Sequence, residues 1–566
     1  MKNHFLQKGL DLLTRRQTNI LSAAFVIMAT VILSQILGLI KKRLLIGIFG
    51  AAATTGVYDV AYKLPDLLFQ LIIAAALSTA FIPIFSDYLA KDKQEEAYNV
   101  VSNFLTLGVI IFFFVSLLLA IFAPFFLSIF NPGGGFSPSD MQLMVNLTRI
   151  IIFGEFLIII GTFFTALLQS YNHFFVPGFA LALYNLGIII GLLTLSRYIG
   201  IYSGAVGTIL GGFLFIVVQL PLVKKVGFIY KPRLFLKDTG VQKIFHLMWP
   251  RTAANAVSYI GSILIVSLVS FLPMTGRNYV IFDLAQTIAF APVALIGQAI
   301  AQAAFPVLSR EKDNPQNFKL TFINSFNQML YLILPISVLI LILRIPVVRL
   351  VFGAPRLDWD ATVLTGKTLA YFSISIFAQA LITLVLRAFY ALHDSKTPLL
   401  ISSFATVCML AISYILIVVL RQDSLCVLQH CLPKGVDALG LAYTISSILQ
   451  LAVLFIVLER KVGGFQKRQL LLPWIKILVC TFFTAFALYI PIKLLDKLVI
   501  DTTYTINLII LTGISSCAGL LLYLLLTWLF DIKEAGTYLL VFRKVGNWKE
   551  ILVKSQEMLE GNRINP

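Results

Sequence analysis

ALSTAFIPIFSDY at residues 76–88 returns as IAQAAFPVLSREK at residues 300–312, with Pro83 falling on Pro306 and Ser86 on Ser309 at an offset of 223. LLQSYNHFFVPGF (167–179) is echoed by VLRAFYALHDSKTPLL (385–400). There Leu168 pairs with Leu386 and Pro177 with Pro398, at offsets of 218 and 221 across a short insertion. GAVGTILGG (204–212) resembles DALGLAYTI (437–445) at an offset near 233. Each match is weak alone, but three in the same order at nearly one spacing mark an internal repeat.

The composition says what is repeated. Of 566 residues 59% are hydrophobic and 12% charged, about half the charge of a soluble domain. Apolar runs of about 20 residues recur from end to end, long enough to cross a hydrocarbon core of about 30 Å. The chain therefore reads as an all-α polytopic membrane protein with about fourteen transmembrane helices, the first at 20–49 and the last at 503–530. A membrane β-barrel would show short alternating segments instead. The second member of each repeat pair lies six spans after the first. An even number preserves orientation, so the repeats are parallel six-helix units followed by two extra C-terminal helices, a transporter plan with a site expected between two lobes.

The expected organisation is a cytoplasmic N-terminal segment (1–19), an N-lobe (20–223), a basic linker (224–245), a C-lobe (246–459), two appended helices (470–530) and a basic amphipathic tail (531–566). The formal net charge is +18. Its Lys and Arg concentrate at 224–243, 309–319, 459–469 and after 531, while 131–140 and 271–277 nearly lack them. That bias places both termini in the cytoplasm. Cys426 and Cys431 share a polar loop and are either a disulfide or two free thiols. The five histidines are dispersed, no cysteine pair has zinc spacing and no Walker A sequence occurs. Nothing calls for an enzyme, a metal, a cofactor or a nucleic-acid partner.

Charges inside the spans carry the functional reading, because each is costly unless it meets protein, water or a counter-charge. Lys41, Lys42 and Arg43 interrupt the first span; Asp59, Lys63 and Asp66 surround the start of the second; Arg149 and Glu155 fall in the fourth, Arg251 in the seventh and Asp283 in the eighth. The first three cations either line a cavity for an anionic group such as a diphosphate or flank a break near residue 40. Asp59, Lys63 and Asp66 have the spacing to pair with one another. Gly50, Pro65 and Pro177 stand where hinges or helix ends are expected.

KLPDLLFQLIIAAALSTAFIPIFSDY (63–88), ALLQSYNHFFVPGFALALYNLGI (166–188), LILRIPVVRLVFG (341–353), RAFYALHDSKTP (387–398) and LGLAYTISSILQ (439–450) resemble the MurJ/MviN family over nearly the whole chain. The resemblance implies a monomer in the bacterial inner membrane. It would flip lipid II, the undecaprenyl-diphosphate-linked peptidoglycan precursor, by alternating access, with its last two helices grooved for the lipid tail and with cell-wall synthesis machinery and membrane lipids as partners. The family's polar positions in span 1 match Ser34, Gln35, Lys41 and Lys42 here. Its two arginines and a glutamate in span 2 match Phe69, Gln70 and Ala74, its acidic residue before span 2 matches Gly56, and its Asp-Arg in span 8 matches Gln286 and Thr287. The acidic and Asn positions that hold a sodium ion in some members, near spans 7 and 11, fall near Ile265 and near Cys408 and Met409 here and are apolar. With the arginines replaced, the expected substrate site is Lys41 with Lys42 or Arg43, joined by Lys63, Arg251, Ser34 and Gln35, and the expected coupling or cavity residues are Asp59, Asp66, Arg149 and Glu155. A flippase for another polyprenyl-diphosphate-linked glycan and a transport-inactive scaffold of cell-wall assembly are the alternatives.

Overall fold

A computed structural model describes residues 20–71, 93–235, 259–419, 435–498 and 504–536, together with positions 81, 85, 88, 91 and 242. Arg251, Pro83, Ser86, Ala74, Cys426, Cys431, the segment 1–19 and most of the tail lie outside the described residues. Among the described residues there are helices and no strand. In chain order they are α1 (Ile20–Phe49), α2 (Ala53–Ala61), α3 (Lys63–Phe69), α4 (Gln94–Ile121), α5 (Ala123–Ser128), α6 (Pro138–Ser170), α7 (Phe175–Ile199), α8 (Tyr202–Val217) and α9 (Leu220–Lys225). Then come α10 (Tyr259–Val269), α11 (Thr275–Pro292), α12 (Gln298–Arg310), α13 (Pro315–Ile342), α14 (Arg344–Phe352), α15 (Trp359–Ala391), α16 (Lys396–Tyr414), α17 (Asp437–Val462), α18 (Lys467–Leu498) and α19 (Thr505–Leu529). Among the described residues eleven helices are long and apolar enough to cross a membrane. α1, with 30 residues, reaches about 45 Å at ~1.5 Å per residue. Of the other two expected spans, 62–86 and 246–272, about half of each lies outside the described residues.

The repeat is written into the backbone more regularly than into the side chains. α4 and α13 both have 28 residues, α6 and α15 both have 33. Gln94 and Pro315, Ala123 and Arg344, Pro138 and Trp359, and Phe175 and Lys396 open corresponding helices, and every pair is 221 residues apart. The turns agree as well. His173 N–H donates to the Leu168 carbonyl at 2.9 Å and Asp394 N–H to the Phe389 carbonyl at 3.0 Å. The residue before each donor, Asn172 or His393, has a left-handed φ of 61° or 58°, a conformation few side chains other than Asn, Asp and His adopt readily. The structural partner of Leu168 is thus Phe389, not Leu386, and the insertion that side-chain similarity implied is absent. An apolar helix position accepts Leu or Phe, so residue identity misaligns there while turn geometry does not.

The described chain forms two compact units. The first comprises Met1–Leu284, Val351–Thr365 and Thr406–Ala442. Within it α6 starts on a capping box, Ser137 Oγ accepting from Asp140 N–H while the Asp140 carboxylate accepts from Ser137 N–H, so two orphan amides are satisfied. α7 and α8 cross at Gly187, Gly191, Gly207 and Gly211, where an added Cβ on any of the four meets the backbone opposite at 3.0 Å or less. Small residues let membrane helices approach until their backbones touch, which replaces the hydrophobic drive missing in lipid. Phe81, Phe104 and Phe163 fill the space between α4 and α6, with ring centroids 5.4 to 5.9 Å apart. Phe113, Phe114 and Phe153 face outward, as hydrocarbon permits.

The second unit comprises Ala285–Leu350, Gly366–Ala405 and Tyr443–Pro566. Phe290, Phe372 and Tyr443 pack edge-on or tilted, with ring centroids 5.3 to 6.3 Å apart. Between α11 and α12 the helix widens into a π turn, Val293–Gly297, just after Pro292, which cannot donate the regular hydrogen bond. α18 and α19 meet where Gly519 lies under Leu488. They dock on α13 through Tyr523 Oη, which donates to the Tyr331 carbonyl at 2.7 Å.

Candidate functional site

α1 passes unbroken through Lys41, Lys42 and Arg43, so the reading in which the span breaks near residue 40 is corrected. Successive side chains step by about 100° around a helix, and the three cations part company accordingly. Lys42 shares its inward face with the buried Leu45 and Ile46, while Arg43 is exposed on another face. α1 ends at Gly50, whose φ of 78° breaks the helix, and Thr55 Oγ1 donates to the Gly50 carbonyl at 2.8 Å. That tight corner returns α2 along α1 and brings Asp59 to Lys42.

Lys42 Nζ lies 2.6 Å from Asp59 Oδ2 and 2.7 Å from Asp283 Oδ2. The mutual pairing of Asp59, Lys63 and Asp66 expected from their spacing is therefore replaced. Asp59 is held by α1, Asp66 accepts from Gln70 at 3.4 Å, and Lys63 Nζ sits 5.9 Å from the centroid of the Tyr279 ring. Asp59 on α2 and Lys63 on α3 are parted by a helix boundary, and Asp59 takes the closer partner, Lys42; Lys63 and Asp66 share α3 and act on each other only through space. Three elements thus converge on Lys42: α1 supplies the cation, α2 one carboxylate and α11 the other.

α2 and α11 reach this point because they touch at glycine. A Cβ on Gly276 would meet the Ala53 carbonyl oxygen at 2.5 Å, and a Cβ on Gly56 would overlap the backbone of Gly276. The acidic residue that the family carries at the position of Gly56 has no room in this chain.

Lys41 stands beside the triad. Among the described residues no carboxylate comes within ion-pair distance of it, although Asp59, Asp283 and Glu155 all act on it through space. Glu155, on α6, is 6% exposed and faces Asp66 and Lys41. Around it lies a layer of hydroxyls: Tyr58 donates to Tyr62 at 3.2 Å, and Tyr62 bonds Thr208 on α8. Lys42 is thus matched by carboxylates, while neither Lys41 nor Lys63 has a carboxylate at ion-pair distance among the described residues.

The remaining expected residues sit elsewhere. Arg149 is exposed on α6 and donates to the Ala120 carbonyl at 3.0 Å, which removes it from the inward cluster. Ser34 accepts from Asn185 at 3.3 Å and so ties α1 to α7, while Gln35 is exposed. Asp283 and Tyr279 were not expected at the site. Asp283 was visible in the sequence as a charge inside a span, yet nothing in the chain order links it to Lys42.

The family model described as lipid II flippase MurJ matches residues 46–510. A probable lipid II flippase MurJ from Buchnera aphidicola subsp. Schizaphis graminum is 26% identical over 479 residues, covering 83% of this chain and 90% of that protein. One from Burkholderia cenocepacia, a lipid II flippase MurJ, is 25% identical over 397 residues, covering 68% of this chain and 76% of that protein. A solved lipid II flippase MurJ in an inward closed conformation superposes with a TM-score of 0.70 at 20% identity, covering 89% of this chain and 98% of that one. With the family model matching residues 46–510, most of the chain, the chain belongs to the lipid II flippase MurJ family.

Proposed function

We propose that this protein moves lipid II across the bacterial inner membrane by alternating access, with both termini in the cytoplasm, and that Lys41 and Lys63 hold the diphosphate. The observation that carries the reading is the division of labour among the buried lysines. Lys42 is committed to two carboxylates, whereas Lys41 and Lys63 have no ion-pair partner among the described residues and Lys63 lies over the Tyr279 ring and bonds the Tyr279 hydroxyl. Buried cations without a bound counter-charge are costly, and a diphosphate supplies that counter-charge. Lysine is a point charge rather than a planar fork, so the pair grips an anion without reading its shape. Selection of the glycan then rests on contacts other than these two.

The test is flipping of labelled lipid II in vesicles, read as accessibility in the outer leaflet, with an unrelated polyprenyl-diphosphate glycan as competitor. Lys41→Gln and Lys63→Gln should each slow flipping by about tenfold or more, the usual loss when a charge-assisted contact is removed, and Arg43→Gln should leave the rate near wild type. Equal rates for all three variants would move the site elsewhere. Absence of flipping by the wild-type protein would overturn the reading.

A further inference from the structure

We infer that the strap at residues 226–235 is a binding surface for acidic phospholipids of the leaflet it faces, the cytoplasmic one in the topology proposed above. Lys231 and Arg233 take the lipid phosphate, while Ile229, Leu234 and Phe235 lie among the first acyl carbons. The inference goes beyond the flippase reading and does not involve the charged triad.

The strap follows α9 and runs along α4 without forming a helix. α4 fastens it at four places. Tyr98 Oη donates to the Val226 carbonyl at 2.6 Å, Ser102 Oγ accepts from Lys231 N–H at 3.4 Å, and Thr106 Oγ1 bonds Tyr230 Oη at 2.9 Å. Asn103 grips Phe235 in both directions: its Nδ2 donates to the Phe235 carbonyl at 2.8 Å and its Oδ1 accepts from Phe235 N–H at 2.9 Å. Phe228 is buried and packs edge-on against the Tyr98 ring, with centroids 5.5 Å apart. Neighbouring side chains of an extended segment point to opposite sides. Phe228 and Tyr230 face α4, so Ile229 and Lys231 face away from it. Ile229 is 71% exposed, Leu234 62% and Phe235 60%, with Lys231 and Arg233 exposed beside them. The backbone is thus pinned while the large apolar side chains are held outward.

α4 also fixes the level at which this happens. Its first turn carries Glu95 and Glu96, both exposed. Phe104–Ile121 carries no charge and extends about 27 Å at ~1.5 Å per residue, close to the hydrocarbon thickness of about 30 Å. Ties at Ser102, Asn103 and Thr106 therefore set the strap at the boundary between headgroups and hydrocarbon, where apolar side chains dip inward and cationic ones reach phosphates. The charge there is of one sign. The chain has no acidic residue between Glu155 and Asp238, and among the described residues Lys231 and Arg233 meet no carboxylate at ion-pair distance. Lys224 and Lys225, at the end of α9, add two more exposed cations. A zwitterionic lipid offers the same phosphate but brings its own cation, so a surface of this sign favours the acidic lipid.

The test places the full-length protein in phosphatidylcholine vesicles doped with photoactivatable phosphatidylglycerol or photoactivatable phosphatidylcholine, the reactive group lying near the glycerol. Lipid adducts on residues 226–235 are quantified by mass spectrometry after proteolysis. Wild type should favour phosphatidylglycerol by about tenfold or more, since each surface cation is worth about fivefold, and added salt should lower the ratio. Lys231→Gln with Arg233→Gln should bring the ratio close to even while the phosphatidylcholine yield stays at its wild-type level, which shows that the strap is still in place. Arg310→Gln with Lys312→Gln removes the same charge from exposed positions of the second unit and should leave the ratio unchanged. Absence of adducts in the segment, equal labelling by both probes in wild type, a strap variant that keeps the wild-type ratio, or a control variant that loses it would overturn the inference. So would displacement of the phosphatidylglycerol probe by lipid II at a far lower mole fraction than unlabelled phosphatidylglycerol requires, because the cations would then belong to the substrate's path.

Discussion

Gly56 on α2 lies against Gly276 on α11 with no space for a Cβ on either residue, and this contact sets the distance at which Asp59 and Asp283 meet Lys42. Gly56→Ala and Gly276→Ala should each destabilise the protein by about 1–3 kcal/mol, the cost of overpacking a tight helix contact. Gly38→Ala in α1 is the matched control. A Cβ there meets nothing within 4 Å, and alanine gains about 0.5–1 kcal/mol over glycine inside a helix. Thermal unfolding in detergent should lower the midpoint for the first two variants and hold or raise it for the third. A Gly56→Ala midpoint at the wild-type value would show that the crossing is looser than described.

Removing one partner from a buried ion pair strands the other, at about 3–5 kcal/mol. Lys42→Met should therefore unfold at a clearly lower temperature than wild type. Lys42→Met combined with Asp59→Asn and Asp283→Asn should recover most of the loss, because no uncompensated charge remains. Equal midpoints for the single and triple variants would show that the three residues do not act as one unit.

The corner between α15 and α16 gives a pH prediction outside the membrane spans. Burial acts to raise the carboxyl of Asp394, and hydrogen bonds from Lys461 and from the Thr397 backbone N–H outweigh it, holding the group at about 2. Its ordinary value is about 3.9, so the folded group is depressed. Its stabilising contribution is present above about pH 4 and fades as pH falls toward 2. The Lys461 side chain is 39% exposed, which keeps the effect within about 1 kcal/mol. Asp394→Asn should flatten the wild-type dependence of the unfolding midpoint across that window; a wild-type slope that survives the substitution would assign the titration to another group.

Tyr523→Phe should cost about 1 kcal/mol, the net worth of one buried hydrogen bond, by deleting the donor that ties α19 to the Tyr331 carbonyl. The variant should keep its lipid II flipping rate, because the bond lies far in the chain from the charged triad and serves only to seat the appended helices. A variant that melts like wild type would mean that packing of Gly519 on Leu488 already holds them.

The sequence showed the order of apolar spans, the repeat, and the odd cluster of cations in α1, because each is written in runs of neighbouring residues. It placed Gly50 and Pro177 correctly at helix ends, since φ preferences act locally. It did not show who pairs with Lys42. Asp59 is within reach of a reader only if the corner at Gly50 is known, and Asp283 only if α2 and α11 are known to cross. Local spacing then offered a wrong partner, Lys63, and assigned Arg149 an inward role that its place on α6 denies. Side-chain similarity also blurred the repeat, matching Leu168 to Leu386, where hydrogen bonds in the turn identify Phe389.

The constant step of 221 residues through four consecutive helix pairs is also a record of history. Insertions and deletions accumulate wherever a chain tolerates them, and here none has survived across those helices or the turns that join them. The next pair, Tyr202 and Asp437, is 235 apart, so added residues have been accepted after the α7–α16 pair. Within this chain the two copies keep their length far more strictly than their letters. For anyone grafting a tag or a reporter, the connection between residues 419 and 437, where the two copies differ in length, is the place to try before the turns at Asn172 and His393, where they agree.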